Sequence, residues 1–198
     1  MAIKSSSPQI NRDQIVEFWR SIFRYIGDDP NREGLRKTPQ RIVKSWAELF
    51  SGYSMDPVKI LSRAFFKDAC CDEMVIEDEI QAYSFCEHHM LPFSFQCAIG
   101  YLPDKRLVGA SKLARLVECY SRRLQIQERL VAEIADALMA VLKPKGVMVV
   151  IYGKHLCMLC RGIKQHRSRL ITSAIRGVFK EDKVRAEFLR LIGLKESI

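Results

Sequence analysis

Cys86, His88 and His89 stand within four positions in FCEHHMLPF (85–93), in a chain that has only four histidines. A second concentration, HLCMLC at 155–160, holds His155, Cys157 and Cys160. Thiolate and imidazole together are the donor set that zinc prefers. The two segments lie about seventy residues apart, too far for a finger, so two separate elements must bring them together. Cys86 and His89 can converge on one ion if the chain turns at Met90-Leu91-Pro92. On an extended strand His155 and Cys157 share a face, while Cys160 points the other way unless the strand has already ended. The expected ligands are therefore Cys86, His89 and Cys157, with Zn2+ as the expected cofactor. Three protein ligands leave one position open, the pattern of a catalytic site, and His88 and His155 would stand nearby for proton transfer. A closed structural site that adds Cys160 is the competing reading. Cys70, Cys71, Cys97 and Cys119 read as core or surface thiols.

A second set of residues suits an anion. In GASKLARLVECYSRR, Lys112 and Arg115 lie three apart on one helix face, and Arg122 returns to it two turns on. Ser111 is the expected helix cap, where backbone N–H groups and the dipole favour negative charge. Such an entrance fits a polyphosphate, and a merely solvated basic face is the alternative. Arg161 follows the second Cys/His segment and can add a guanidinium. Glu128, in QIQERL (125–130), is either a helix-dipole partner or a reader of guanine, whose N1–H and 2-amino group can both donate to one carboxylate.

These residues need elements to hold them. Helical spacing runs from Asn11 through Ile15, Phe18, Trp19, Ile22, Phe23 and Ile26, and Gly27-Asp28-Asp29-Pro30 stops it. Thr38-Pro39 reads as a cap and first turn ahead of Ile42, Val43, Trp46 and Phe50, and a third short helix is expected near 57–65. Strand composition follows at 73–89 and 93–102. Two helices come next, one burying Leu113, Leu116, Val117 and Tyr120, the other, about 126–142, burying Leu130, Ile134, Leu138, Val141 and Leu142. VMVVIY (147–152) is the continuous apolar run of a strand covered on both faces. A fourth strand near 168–179 and a helix from Asp182 complete the pattern. The expectation is an α+β protein with a ββααββ core. Residues 1–9 form a flexible tail, 10–66 an N-terminal helical region, and 73–198 the core with its terminal helix.

Composition narrows the class. With 48% hydrophobic and 28% charged residues the chain is globular. No apolar run approaches the about 18 residues of a membrane helix. MAIKSSSPQ has no signal-peptide core, so a cytoplasmic protein with reduced thiols is expected. The net charge of +9 admits anionic partners, but no run of five basic residues marks a nucleic-acid tail.

CEHHMLPF, GASKLARLVECYSRRLQIQERL, HLCMLCRG, GVF (177–179) and REGLRKTPQR (32–41) occur in the order of blocks in the zinc-dependent GTP cyclohydrolase I family, which the chain resembles over about residues 15–192. The resemblance implies a T-fold, a toroidal homodecamer with sites where subunits meet, and no nucleic-acid or membrane partner. By matching positions it implies zinc on Cys86, His89 and Cys157, and an acid/base pair in His88 and His155. It puts the triphosphate on Ser111, Lys112, Arg115 and Arg161, some from a neighbouring chain, and the guanine on Gln127 and Glu128. The implied reaction takes GTP and water to 7,8-dihydroneopterin triphosphate and formate, a first step toward folate and other pterins. The chain departs from the family pattern at Ser94-Phe95-Gln96, at Ala110 and in the basic KQHRSRLITS, with Arg167 and Arg169; His166 reads as surface. Two other readings compete: a T-fold enzyme acting on another purine or pterin, and a basic nucleic-acid-binding protein with Cys160 as fourth ligand.

Overall fold

The computed structural model describes residues 11–62, 65–66 and 72–193. Two compact units divide between Leu49 and Phe50.

The first unit contains α1 (Arg12–Tyr25) and α2 (Thr38–Leu49). Asn11 caps α1 reciprocally with Gln14: each side chain accepts from the other's backbone N–H, at 2.9 and 2.8 Å. Gly27 leaves the helix at φ 89°, a conformation open to glycine. The helices meet edge to face through Trp19 and Trp46, ring centroids 5.7 Å apart. Thr38 is not the cap expected from sequence. It is the first helical residue, and its hydroxyl donates to the Gly34 carbonyl at 3.1 Å.

The second unit opens with a 3-10 turn (Ser51–Ser54) and α3 (Pro57–Ser62). The sequence grouped these with the N-terminal helices. The turn is instead held by the Gly52 N–H donating to the Arg122 carbonyl (3.1 Å), and a Cβ at Gly52 would come within 2.4 Å of the Cys119 carbonyl oxygen. Next come β1 (Phe65–Phe66), β2 (Val75–Cys86), β3 (Pro92–Leu102), β4 (Leu107–Val108), α4 (Ala110–Ser121), β5 (Leu124–Gln125) and α5 (Gln127–Val141). The order ends with β6 (Gly146–His155), α6 (Leu156–Leu159), β7 (Leu170–Gly177), a 3-10 turn (Val178–Lys180) and α7 (Asp182–Leu191). The main sheet has the order β5-β2-β3-β6-β7. Its four long strands are antiparallel neighbours, and α4 and α5 stand between β3 and β6 in sequence: the ββααββ order of a T-fold. The two-residue strands β1 and β4 pair separately.

One face of the sheet buries Phe93, Phe95, Cys97, Ile99, Val147, Val149 and Ile151 beneath Leu113, Leu116 and Val117 of α4 and Leu130, Ile134 and Leu138 of α5. On the other face Ala98, Met148 and Val150 lie under Phe179 and Phe188. This double cover explains the uninterrupted apolar run of β6, every residue of which from Val147 to Ile151 is buried. Gly100 is part of the arrangement, since a Cβ there would stand 2.5 Å from the Phe188 ring. Gly100→Ala is expected to lower stability by about 1–3 kcal/mol, the usual cost of overpacking, read as a lower denaturant midpoint at unchanged slope. An unchanged midpoint would show that the ring yields freely.

Candidate active site

The site forms at one end of the sheet, where three chain segments end in register. Cys86, the last residue of β2, pairs with Gln125 of β5, and Phe93 at the start of β3 pairs with His155, the last residue of β6. After Cys86 the chain makes one helical turn, with the His89 and Met90 N–H groups donating to the Cys86 carbonyl at 3.3 and 2.8 Å. The reversal therefore occupies residues 87–90 and overlaps the expected Met90-Leu91-Pro92 at Met90, which takes φ 51°. This turn brings His89 Nδ1 to 3.6 Å from Cys86 Sγ, with His88 Nδ1 at 3.9 Å.

The second segment arrives differently from expectation. The strand ends at His155 and Cys157 sits in the short α6, so it is a helical turn, and not strand alternation, that directs it. Cys86, His89 and Cys157 offer ligand atoms that all lie within 4.8 Å of one another, so the three could hold a metal ion. Cys160 stays outside this group. It is exposed, and its thiol donates to the Leu156 carbonyl at 2.9 Å, which removes the geometric basis for a four-ligand closed site. Burial raises the Cys157 thiol pKa, the Cys86 sulfur raises it further, and the Arg161 charge opposes both. A dication is the charge that would reverse this effect on Cys157.

His155 is 8% exposed and stacks on the Phe93 ring, centroids 4.2 Å apart and planes 9° from parallel. Burial lowers its pKa, against a smaller upward pull from the Glu128 carboxylate. Glu128 itself is exposed in the first turn of α5. Gln127, expected on the base, is completely buried, and every polar atom of its side chain bonds inward.

Residues 15–193 match the GTP cyclohydrolase I family. A protein named GTP cyclohydrolase 1 from Wolinella succinogenes is 57% identical over 171 residues, covering 86% of this chain and 91% of that protein. The chain belongs to the GTP cyclohydrolase I family. A second relative of that name, from Helicobacter hepaticus, is 47% identical over 190 residues, covering 96% of this chain and 91% of its own. The apo crystal structure of the archaeosine synthase QueF-Like aligns with 52% of this chain and 93% of its own at 18% identity, with a TM-score of 0.44.

Two of the residues expected to hold an anion, Lys112 and Arg115, border a cleft that the Cys/His end does not share. The cleft, of about 400 Å3, is also lined by Ser54, Asp56 and Lys59, and none of the three candidate metal ligands borders it. Ser111 is exposed in the first turn of α4, but the N-cap is Gly109 and no side-chain cap bond forms, which corrects the expected role. Arg161 is exposed after α6, near enough to influence Cys157. The structure also reveals residues that sequence reasoning passed over. Arg129 pairs with Glu87, between Cys86 and His88, and donates to Gln125 Oε1 at 3.0 Å, tying the Cys/His turn to the start of α5. The Glu87 carboxyl pKa is held low chiefly by the hydrogen bond it accepts from Arg129. No spacing rule links residues this far apart in sequence; only the parallel pairing of β2 with β5 does.

Proposed function

We propose that the protein opens the imidazole ring of GTP at C8, releases formate and yields 7,8-dihydroneopterin triphosphate, using zinc held by Cys86, His89 and Cys157. The observation that carries this reading is the convergence of those three side chains beside His88 and His155 in a chain of this family. Thiolate and imidazole at their usual zinc distances stand about 3.6 Å apart in a tetrahedral shell, and Cys86 Sγ and His89 Nδ1 are 3.6 Å apart here. When bound, zinc supplies a Lewis acid that lowers the pKa of a water molecule and so provides a nucleophile at neutral pH.

The chain's own groups do the rest. Glu128 accepts from guanine N1–H and the 2-amino group, orienting C8. Lys112, Arg115, Ser111 and Arg161 hold the triphosphate. Because Lys112 and Arg115 face a separate cleft, a complete site combines them with the Cys/His end of a neighbouring copy, as a homodecamer provides. His88 and His155 carry protons, delivering one to the ring nitrogen as its bond to C8 breaks. The second hydrolysis releases formate, and the ribose rearranges onto the freed amine.

No helix among the described residues is long and apolar enough to cross a membrane. A cytoplasmic setting suits this reading because it keeps the two ligand thiols reduced. The deciding experiment follows formate release and pterin absorbance from GTP, with and without a chelator. Both products should appear together, and both should vanish on chelation and return with Zn2+. Metal-loaded protein that forms neither product from GTP would end the proposal.

A further inference from the structure

Gln127 is 0% exposed, and both its amide nitrogen and its amide oxygen are engaged inside the protein. Its Nε2 lies 3.1 Å from the Ile151 carbonyl, 3.0 Å from the Leu170 carbonyl and 3.0 Å from Thr172 Oγ1. Its Oε1 lies 3.0 Å from His155 Nε2. Two of the atoms around Nε2 are backbone carbonyls, which only accept, so the amide must place its NH2 group there. The oxygen must then face His155. An amide oxygen accepts only, so the imidazole nitrogen opposite it must carry the hydrogen.

From this we infer that Gln127 is a positioning residue for His155: its amide oxygen takes the Nε2–H and leaves Nδ1 as the ring atom for proton transfer with the substrate. This rests on the reading of His155 as a proton carrier. Two further features support it. Phe93 stacks on the ring and holds its plane. Gly153 leaves room for the amide, since a Cβ there would lie 2.0 Å from Gln127 Oε1. A strand glycine at a close approach of this kind has a packing cause. Guanine recognition then falls to Glu128 and not to the Gln127 side chain.

The test uses the zinc-loaded enzyme. In the wild type labelled with 15N-histidine, solid-state NMR should show His155, assigned by loss of its signal in His155→Phe, with Nε2 protonated and Nδ1 bare. In Gln127→Met, kcat should fall roughly 100-fold while KM for GTP and the preference for GTP over inosine triphosphate shift no more than about threefold. A base-reading glutamine predicts the opposite: a raised KM and weaker discrimination against inosine triphosphate, which lacks the 2-amino group. That result, or an Nδ1–H ring in the wild type, would overturn the inference. Should Gln127→Met fail to fold, the wild-type ring spectrum decides alone. Failure of the wild type to turn over GTP would remove the proposed function, whereas the tautomer is read without turnover.

Discussion

Cys157→Ala is expected to abolish both metal binding and turnover, lowering GTP hydrolysis by roughly 10⁴-fold or more. Among the described residues the thiol is one of three side chains whose ligand atoms converge, and its loss leaves two, too few to hold zinc at ordinary free concentrations. Cys160 cannot replace it without rearrangement, because its thiol is exposed and bonded to the Leu156 carbonyl. Two companions make the result specific. Cys160→Ser should keep metal and activity, while His88→Ala should keep metal and lose turnover. Metal content per chain and formate release are the readouts. Wild-type turnover in Cys157→Ala would defeat the ligand assignment, and metal loss in Cys160→Ser would restore the closed, four-ligand site.

Glu128→Ala tests the other half of the site. Two hydrogen bonds to an ionised carboxylate contribute about 1.5–3 kcal/mol each, so GTP affinity should fall by roughly 10²–10⁴-fold. Metal content should not change. The competing role, partner to the N-terminal dipole of α5, predicts a loss of about 0.3–1 kcal/mol in stability with binding intact. Titrating GTP against the variant separates the two, and unchanged affinity would return Glu128 to the dipole role.

Elements with their own periodicity were legible in the sequence. The stripes of α4 and α5 and the double-faced run of β6 each carry a repeat that the chain specifies without its neighbours. The Cys/His grouping was legible because three of the four histidines stand beside cysteines in two short segments. What was not legible depends on tertiary partners. The two-residue β5 has no periodicity, yet its parallel pairing with β2 sets Gln125 beside Cys86. The change from strand to helix at Leu156 occurs within a short apolar stretch that fits either state. Ser111 had the composition of a cap, but the helix begins one residue earlier. Gln127 stands beside Glu128 in sequence, and only the acceptors on β6 and β7 reveal that the two point to different surroundings.

The double cover of β6 also bears on how the chain is made. Gly100 and Val150 present their outer face to Phe188, which a ribosome adds only after nearly all of the second unit has emerged. Until α7 is synthesised, the helical side of the sheet can assemble while Ala98, Met148 and Val150 remain open to water. At about 5–20 residues per second that interval lasts seconds, long enough for holdase chaperones to matter. α7 therefore acts as the closure of a sheet face that is most prone to aggregate in the interval before residues 182–191 are added.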